Sequence, residues 1–258
     1  MRYRIGVKRP LWSFVGLMVV AASPRADESC ASLRPDHLAP AIEAKLIADL
    51  DAARQHARHI WRDVPPLNPD GTVNGYIEIA RGESKKWELD VARNKRKIDR
   101  VLPRNLGGYP TGYGIVPGTI SYDGDPFDIL VLGPRLSGGR FIKARIVGVM
   151  CMVDEKGPDS KVVVSPIDEH GRVPYSLDAS ERERIGTFFN LYKKHEAAKG
   201  KFSRVTDWGD AAEGLKFVET TAGFFARARA RQSSQRAPAK TNAPQDSPTT
   251  APARTSEG

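Results

Sequence analysis

Tyr122-Asp123-Gly124-Asp125-Pro126-Phe127-Asp128-Ile129-Leu130-Val131-Leu132 decides how this 258-residue chain is read. Three carboxylates fall within six residues, beside a glycine and a proline, and the chain then turns wholly apolar. Gly124 lets the backbone bend, and Pro126 fixes φ near −65° and removes a donor. Ile129 to Leu132 reads as a buried strand, so the carboxylates stand at the mouth of a strand anchored in a core. Anions this close repel one another unless a cation sits between them. Hard, oxygen-preferring ions, Mg²⁺ first, meet that need. A polar turn ahead of a strand is the plainer alternative. An EF-hand loop fits poorly, because Asp128 stands at the sixth position, where that loop needs glycine.

Outward from this stretch, composition sets the frame. With 40% hydrophobic and 28% charged residues, the chain is ordinary for one globular domain with appendages. The formal charge is +9, with Arg2, Arg4, Lys8 and Arg9 contributed by residues 1–22. The remaining surplus suits an anionic ligand without requiring nucleic acid. Basic residues followed by the apolar run Leu11–Ala22 read as a secretory signal, too short to span a bilayer comfortably. The expected location is periplasmic or secreted, with no stable membrane insertion once the signal is removed. An uncleaved membrane anchor and a cytoplasmic protein are the alternatives. Cys30 and Cys151 are the two cysteines; Cys151, in an apolar run, reads as a buried inert thiol, although an oxidising compartment would permit a disulfide.

Apolar residues at Ile42, Leu46, Leu50, Ala53, Ala57 and Ile60 predict one helix over 40–61, with Pro40 in its first turn. His56 and His59 read as its solvated flank. Residues 75–132 read as mostly β, with the glycine-rich stretch 107–114 as a loop, and 141–153 and 162–164 as further strands. Ser180 with Glu183 predicts a capping box for a helix carrying Ile185, Phe188, Phe189 and Tyr192, closed by Gly200. A second helix is expected from about Asp210, with Leu215, Val218, Ala222 and Phe225 as its stripe. Beyond Arg231 the composition predicts a disordered tail.

The acids beside the strands are Glu78, Glu88, Asp123, Asp125, Asp128, Asp154 and Asp159; the bases are Lys86, Arg100, Lys161 and Lys193. Asp154 and Asp159 flank one turn, and Asp159 and Lys161, two apart, share a face. Any one of these would pass as a surface charge beside a strand. Together, carboxylates for divalent metals with Lys, Arg and Tyr for an anion describe a phosphate-processing site.

From about Val73 to Arg231 the chain resembles the soluble family I inorganic pyrophosphatases. The resemblance is carried by Asp123-Gly124-Asp125-Pro126-Phe127-Asp128. Ile77-Glu78-Ile79, Lys86-Trp87-Glu88, Ile98-Asp99-Arg100, Tyr109-Pro110 and Tyr113-Gly114 before it, and Asp154-Glu155, Asp159-Ser160-Lys161 and Tyr192-Lys193 after it, match in order and spacing. It implies an α+β fold, a small five-stranded OB-like β-barrel flanked by helices. An N-terminal helical extension (23–72), the domain (73–231) and a disordered C-terminal tail (232–258) complete the expected organisation. It implies hydrolysis of pyrophosphate with several Mg²⁺ ions, held by Asp123, Asp128, Asp159, Asp154 and Glu78. Asp125 would be the general base, and Lys86, Arg100, Tyr113, Lys161, Tyr192 and Lys193 the pyrophosphate ligands. A homo-oligomer is expected, although the added helix departs from the family pattern. A barrel that binds nucleic acid or polyphosphate is the rival from another class, disfavoured because single strands want aromatics and cations where this chain crowds acids. A degenerate fold kept for Ca²⁺ or phosphate sensing is a third.

Overall fold

The structure, a computed structural model, describes residues 28–235. The expected signal segment and almost all of the expected tail lie outside the described residues. The strands are β1 (Val73–Ile79), β2 (Lys85–Asp90), β3 (Lys95–Val101), β4 (Gly112–Ile115), β5 (Asp128–Val131), β6 (Phe141–Asp154), β7 (Gly157–Pro158), β8 (Lys161–Pro166) and β9 (Ser203–Gly209). The helices are α1 (Cys30–Leu33), α2 (Pro40–Ala53), α3 (Ala179–Leu191) and α4 (Ala211–Gln235).

β1 pairs with β4, β4 with β5, β5 with β8, β8 with β6, and β6 returns to β1. Five strands thus close a ring, the expected barrel, with β5–β8 as its parallel pair. One long strand can serve two sides because β6 carries a register shift between Ile146 and Gly148 as it pairs with β8. The hairpin β2–β3 stands apart from the ring, and β9 lies along the outer reach of β6.

The ring strands are apolar at successive positions because both of their faces are covered. Ile129, Val131, Val149, Cys151, Val162 and Val164 pack with Phe217 and Val218 of α4. Their neighbours Leu130, Leu132, Met150, Met152 and Val163 pack with Ile185, Phe188, Phe189 and Tyr192 of α3 and its end. A third cluster joins Leu46 and Leu50 of α2 to Trp61, Phe224, Phe225 and Ala228, so the extension docks on α4. Among the described residues, no helix is long and apolar enough to cross a membrane.

Several expectations are corrected. The predicted helix over 40–61 ends at Ala53, where the Arg62 guanidinium takes over the Ala53 and His56 carbonyls. His59 is buried, not solvated: its Nε2 meets the Val91 carbonyl at 2.8 Å, and its Nδ1 accepts from the Trp61 and Arg62 amides. The glycine-rich loop contains β4; a Cβ on Gly114 would lie 1.9 Å from the Tyr76 carbonyl oxygen, so only glycine allows β4 against β1. β9 was not expected. The cap of α3 is Asp178, whose side chain accepts from the Glu181 amide at 2.9 Å, two residues before the predicted box. Gly200 closes a 3₁₀ turn over Lys194–Lys199 rather than α3 itself. Asp210 caps α4 as expected and Val218 and Phe225 are buried as expected, but Leu215 is exposed, Ala222 is only partly buried, and Phe217, Phe224 and Ala228 join the buried stripe. α4 continues past Arg231 to Gln235. Cys151 is not a free thiol: it is bonded to Cys30, with Cα atoms 5.3 Å apart.

Candidate active site

Each element ends or begins where it delivers a charge to one cleft of about 380 Å³. β1 brings Glu78, β4 brings Tyr113, and the β4–β5 loop brings Asp123 and Asp125. β5 opens on Asp128, β6 closes on Asp154, and Asp159 precedes β8. The hairpin supplies Lys86 and Arg100, which face each other in its register. Tyr192 and Lys193 arrive from the end of α3. Every residue of the expected constellation lines this cleft except Lys161, which lies beneath it at 1% exposure.

The register explains the ion pairs. β5 and β8 run parallel with Ile129 opposite Val162, which places Asp128 beside Lys161. Lys161 Nζ donates to Asp128 Oδ2 at 2.6 Å and to Asp159 Oδ1 at 2.8 Å. The Tyr113 hydroxyl donates to the same Asp128 oxygen at 2.5 Å. Lys193 Nζ, also buried, donates to Asp154 Oδ2 at 2.7 Å and to Glu155 at 2.9 Å. Lys86 Nζ donates to Glu88 at 2.6 Å and lies 3.5 Å from Asp99. Arg100 reaches Glu196 at 3.3 Å and stands over the Tyr192 ring, while its buried Nε makes no hydrogen bond. A donor left so at the edge of an open cleft is suited to an anion.

The acids are under electrostatic load. Burial lifts the Asp159 carboxyl to about 7, helped by Asp128 and Asp154 and resisted by Lys161. Burial first, then Asp125 and Asp128, raises Asp123. Burial, then Asp128, raises Glu78, which accepts the Leu89 amide at 2.5 Å. A divalent cation would offset both the desolvation and the mutual repulsion, so this donor set fits a hard metal. Among the described residues no group of three such side chains is already drawn together closely enough to hold one as it stands. Asp125 differs from its neighbours: 60% of its side chain is exposed, at the mouth.

A family model described as inorganic pyrophosphatase matches residues 75–225. The chain belongs to the inorganic pyrophosphatase family. Among the family's members, the inorganic pyrophosphatase of Thermus thermophilus is 40% identical over 152 residues, covering 57% of this chain and 86% of the relative. That of Sulfolobus acidocaldarius is 36% identical over 162 residues, covering 60% and 92%. The crystal structure of the Thermus thermophilus pyrophosphatase superposes with a TM-score of 0.59 at 34% identity, over 64% of this chain and 98% of that one. The pyrophosphatase match therefore takes in the barrel, the cleft and most of α4, and leaves residues 28–74 outside it.

Further residues line the cleft without having been assigned a role in the sequence: Glu88, Lys97, Asp99, Glu155, Lys156 and Lys201. Glu88 and Asp99 flank Lys86 and Arg100 on the hairpin, and strand alternation around those bases was the available signal. Lys156 sits in the turn between Asp154 and Asp159, so its place follows from theirs. Lys201 follows Gly200, and nothing local marks it.

Proposed function

We propose that this chain hydrolyses inorganic pyrophosphate to two phosphates with Mg²⁺ in the acidic cleft. The observation that carries the reading is the meeting of Asp123, Asp125, Asp128, Asp154 and Asp159 with Lys86, Arg100 and Lys193 in one cleft. Asp123, Asp128, Asp154, Asp159 and Glu78 would hold the metal. When bound, magnesium supplies charge neutralisation on the phosphates and a water acidic enough to attack near neutral pH. Asp125, at the open mouth, takes the proton from the attacking water. Lys86, Arg100, Lys193, Tyr113 and Tyr192 bind and orient the anion, and Arg100 offers an Nε that makes no hydrogen bond and lies 3.8 Å from Asp99. Lys161 holds Asp128 and Asp159 in place through its two hydrogen bonds, and meets the substrate only if those carboxylates release it.

The net reaction consumes one water, breaks the bridging P–O bond and leaves two phosphates. Phosphate release from pyrophosphate tests the reading: it requires Mg²⁺ and is lost on chelation. Folded, metal-loaded protein that releases none overturns it.

An exported, oxidising location belongs to the same proposal, supported by the Cys30–Cys151 bond. Fractionation of the producing cell tests it, and activity confined to the cytoplasm overturns it. A homo-oligomer is proposed from the family resemblance, with light scattering as its test.

A further inference from the structure

Lys45 lies in α2, thirty residues before the family match begins at residue 75, yet it reaches the loop that carries Asp123 and Asp125. Its Nζ donates to the Gly124 carbonyl at 2.5 Å and to Asp49 at 2.8 Å, and stands 3.4 Å from Asp125 Oδ1. The approach is close along the whole side chain. Gly124 has φ of +82°, and a Cβ added there would lie 2.9 Å from Lys45 Cδ and 3.4 Å from Ile42 Cδ1. Helix α2 therefore lies directly over the turn.

That helix is firmly placed. Leu46 and Leu50 are buried against α4, and the Gln232 amide donates to Asp51 at 2.9 Å. Upstream, Arg34 pairs with Glu213 at 2.5 Å, and Cys30 is bonded to Cys151 of β6. The loop it meets is held by few other bonds: Ser121 N to the Asp125 carbonyl, Gly124 N to the Ser121 carbonyl, and Asp125 N to Asp123 Oδ1. A loop tied mainly to itself gains precision from a donor on a rigid element. Lys45 does not line the cleft, so it acts on Asp125 and the backbone, not on the anion.

We propose that Lys45 is a positioning residue of the active site, through which the N-terminal extension fixes the Asp123–Asp125 turn. The inference rests on the hydrolytic reading for its effect on rate, but not for its effect on the loop.

The test uses the full chain and the variants Lys45→Met and Lys45→Arg. Lys45→Met lowers kcat by about tenfold, as loss of an outer-layer partner typically does, while KM for pyrophosphate stays within about twofold. Lys45→Arg, which keeps the charge and the donors, recovers most of the loss. Amide hydrogen exchange at Ser121, Gly124 and Asp125 speeds up in Lys45→Met and returns toward wild type in Lys45→Arg. Lys45 is partly exposed, so both variants fold. Wild-type kcat in Lys45→Met, a loss that Lys45→Arg does not recover, a rise in KM alone, or unchanged loop exchange each overturns the inference. If the wild-type chain itself releases no phosphate, the hydrolytic reading falls, and loop exchange still decides whether Lys45 holds the turn.

Discussion

Lys161 lies 2.6 Å from Asp128 and 2.8 Å from Asp159, and only 1% of its side chain is exposed. The parallel register of β5 and β8 sets the first pairing, and a two-residue step along one strand sets the second. The buried ammonium binds one oxygen of each carboxylate and leaves the other oxygen of each outside the pairing, where a divalent ion entering from the cleft would meet it.

Removing the buried ammonium leaves two partly buried carboxylates without their shared partner. Lys161→Met is expected to lower stability by about 3–5 kcal/mol, the usual cost of breaking a buried pair from one side. Added Mg²⁺ recovers part of this by supplying the missing positive charge. Urea unfolding with and without Mg²⁺ measures both; an unchanged midpoint would show that the pairing contributes nothing.

Asp125 is the acid at the mouth, and its exposure separates chemistry from folding. Asp125→Asn lowers kcat by about 10²–10⁴, the span of a general base, while the melting temperature holds. A variant retaining more than about a tenth of the wild-type kcat would remove Asp125 from that role.

The Cys30–Cys151 bond closes a loop with a sequence separation of 121 residues. Breaking a native link of that span is expected to cost about 2–5 kcal/mol. The urea midpoint should fall after reduction under unfolding conditions and refolding with the thiols blocked. Equal midpoints for the oxidised and reduced chains would contradict the expectation.

His59 gives a pH signature. Burial, with Arg62 and His56 nearby, pushes its imidazolium below the ordinary value of 6.5, against the pull of the Val91 carbonyl and Asp63. The unfolded chain therefore takes the proton more readily than the folded one. The His59 contribution to stability is complete above pH 6.5 and is lost as pH falls below it. Carboxylates held low by their partners, such as Asp63 and Asp90, act in a separate window, below their ordinary value of 3.8. Asp159, lifted to about 7, gains stability over the same range as pH falls, so the His59 signature is the difference between wild type and His59→Gln, with the wild type losing ground to the variant as pH falls below 6.5. A difference that does not change with pH would take the signature away from His59.

The cleft was legible where its residues follow local rules. Asp123, Asp125 and Asp128 are marked by their own spacing and by the strand that follows. Asp159 and Lys161 share a face because strands alternate. Pairings across the fold were not legible in this way. Whether Cys30 meets Cys151 depends on where α1 lands on β6, which no residue nearby encodes. β4 was hidden because Gly112 and Gly114 look like loop residues until Val131 crowds the first and Tyr76 the second. β9 was hidden by its mixture of Ser, Arg, Thr and Asp, since it lies along β6 outside the ring and is only half-buried. α2 stopped early because the Arg62 side chain, nine residues on, satisfies the Ala53 carbonyl. The reach of Lys45 to Gly124 belongs with these: a contact across 79 residues has no periodicity to announce it.

The most direct test is phosphate release from pyrophosphate by the purified chain as Mg²⁺ is titrated from zero. The account predicts no release without a divalent ion, saturable activation as Mg²⁺ rises, and complete loss with excess chelator. Equal rates with and without chelator, or a folded chain inert at every Mg²⁺ concentration, would contradict it.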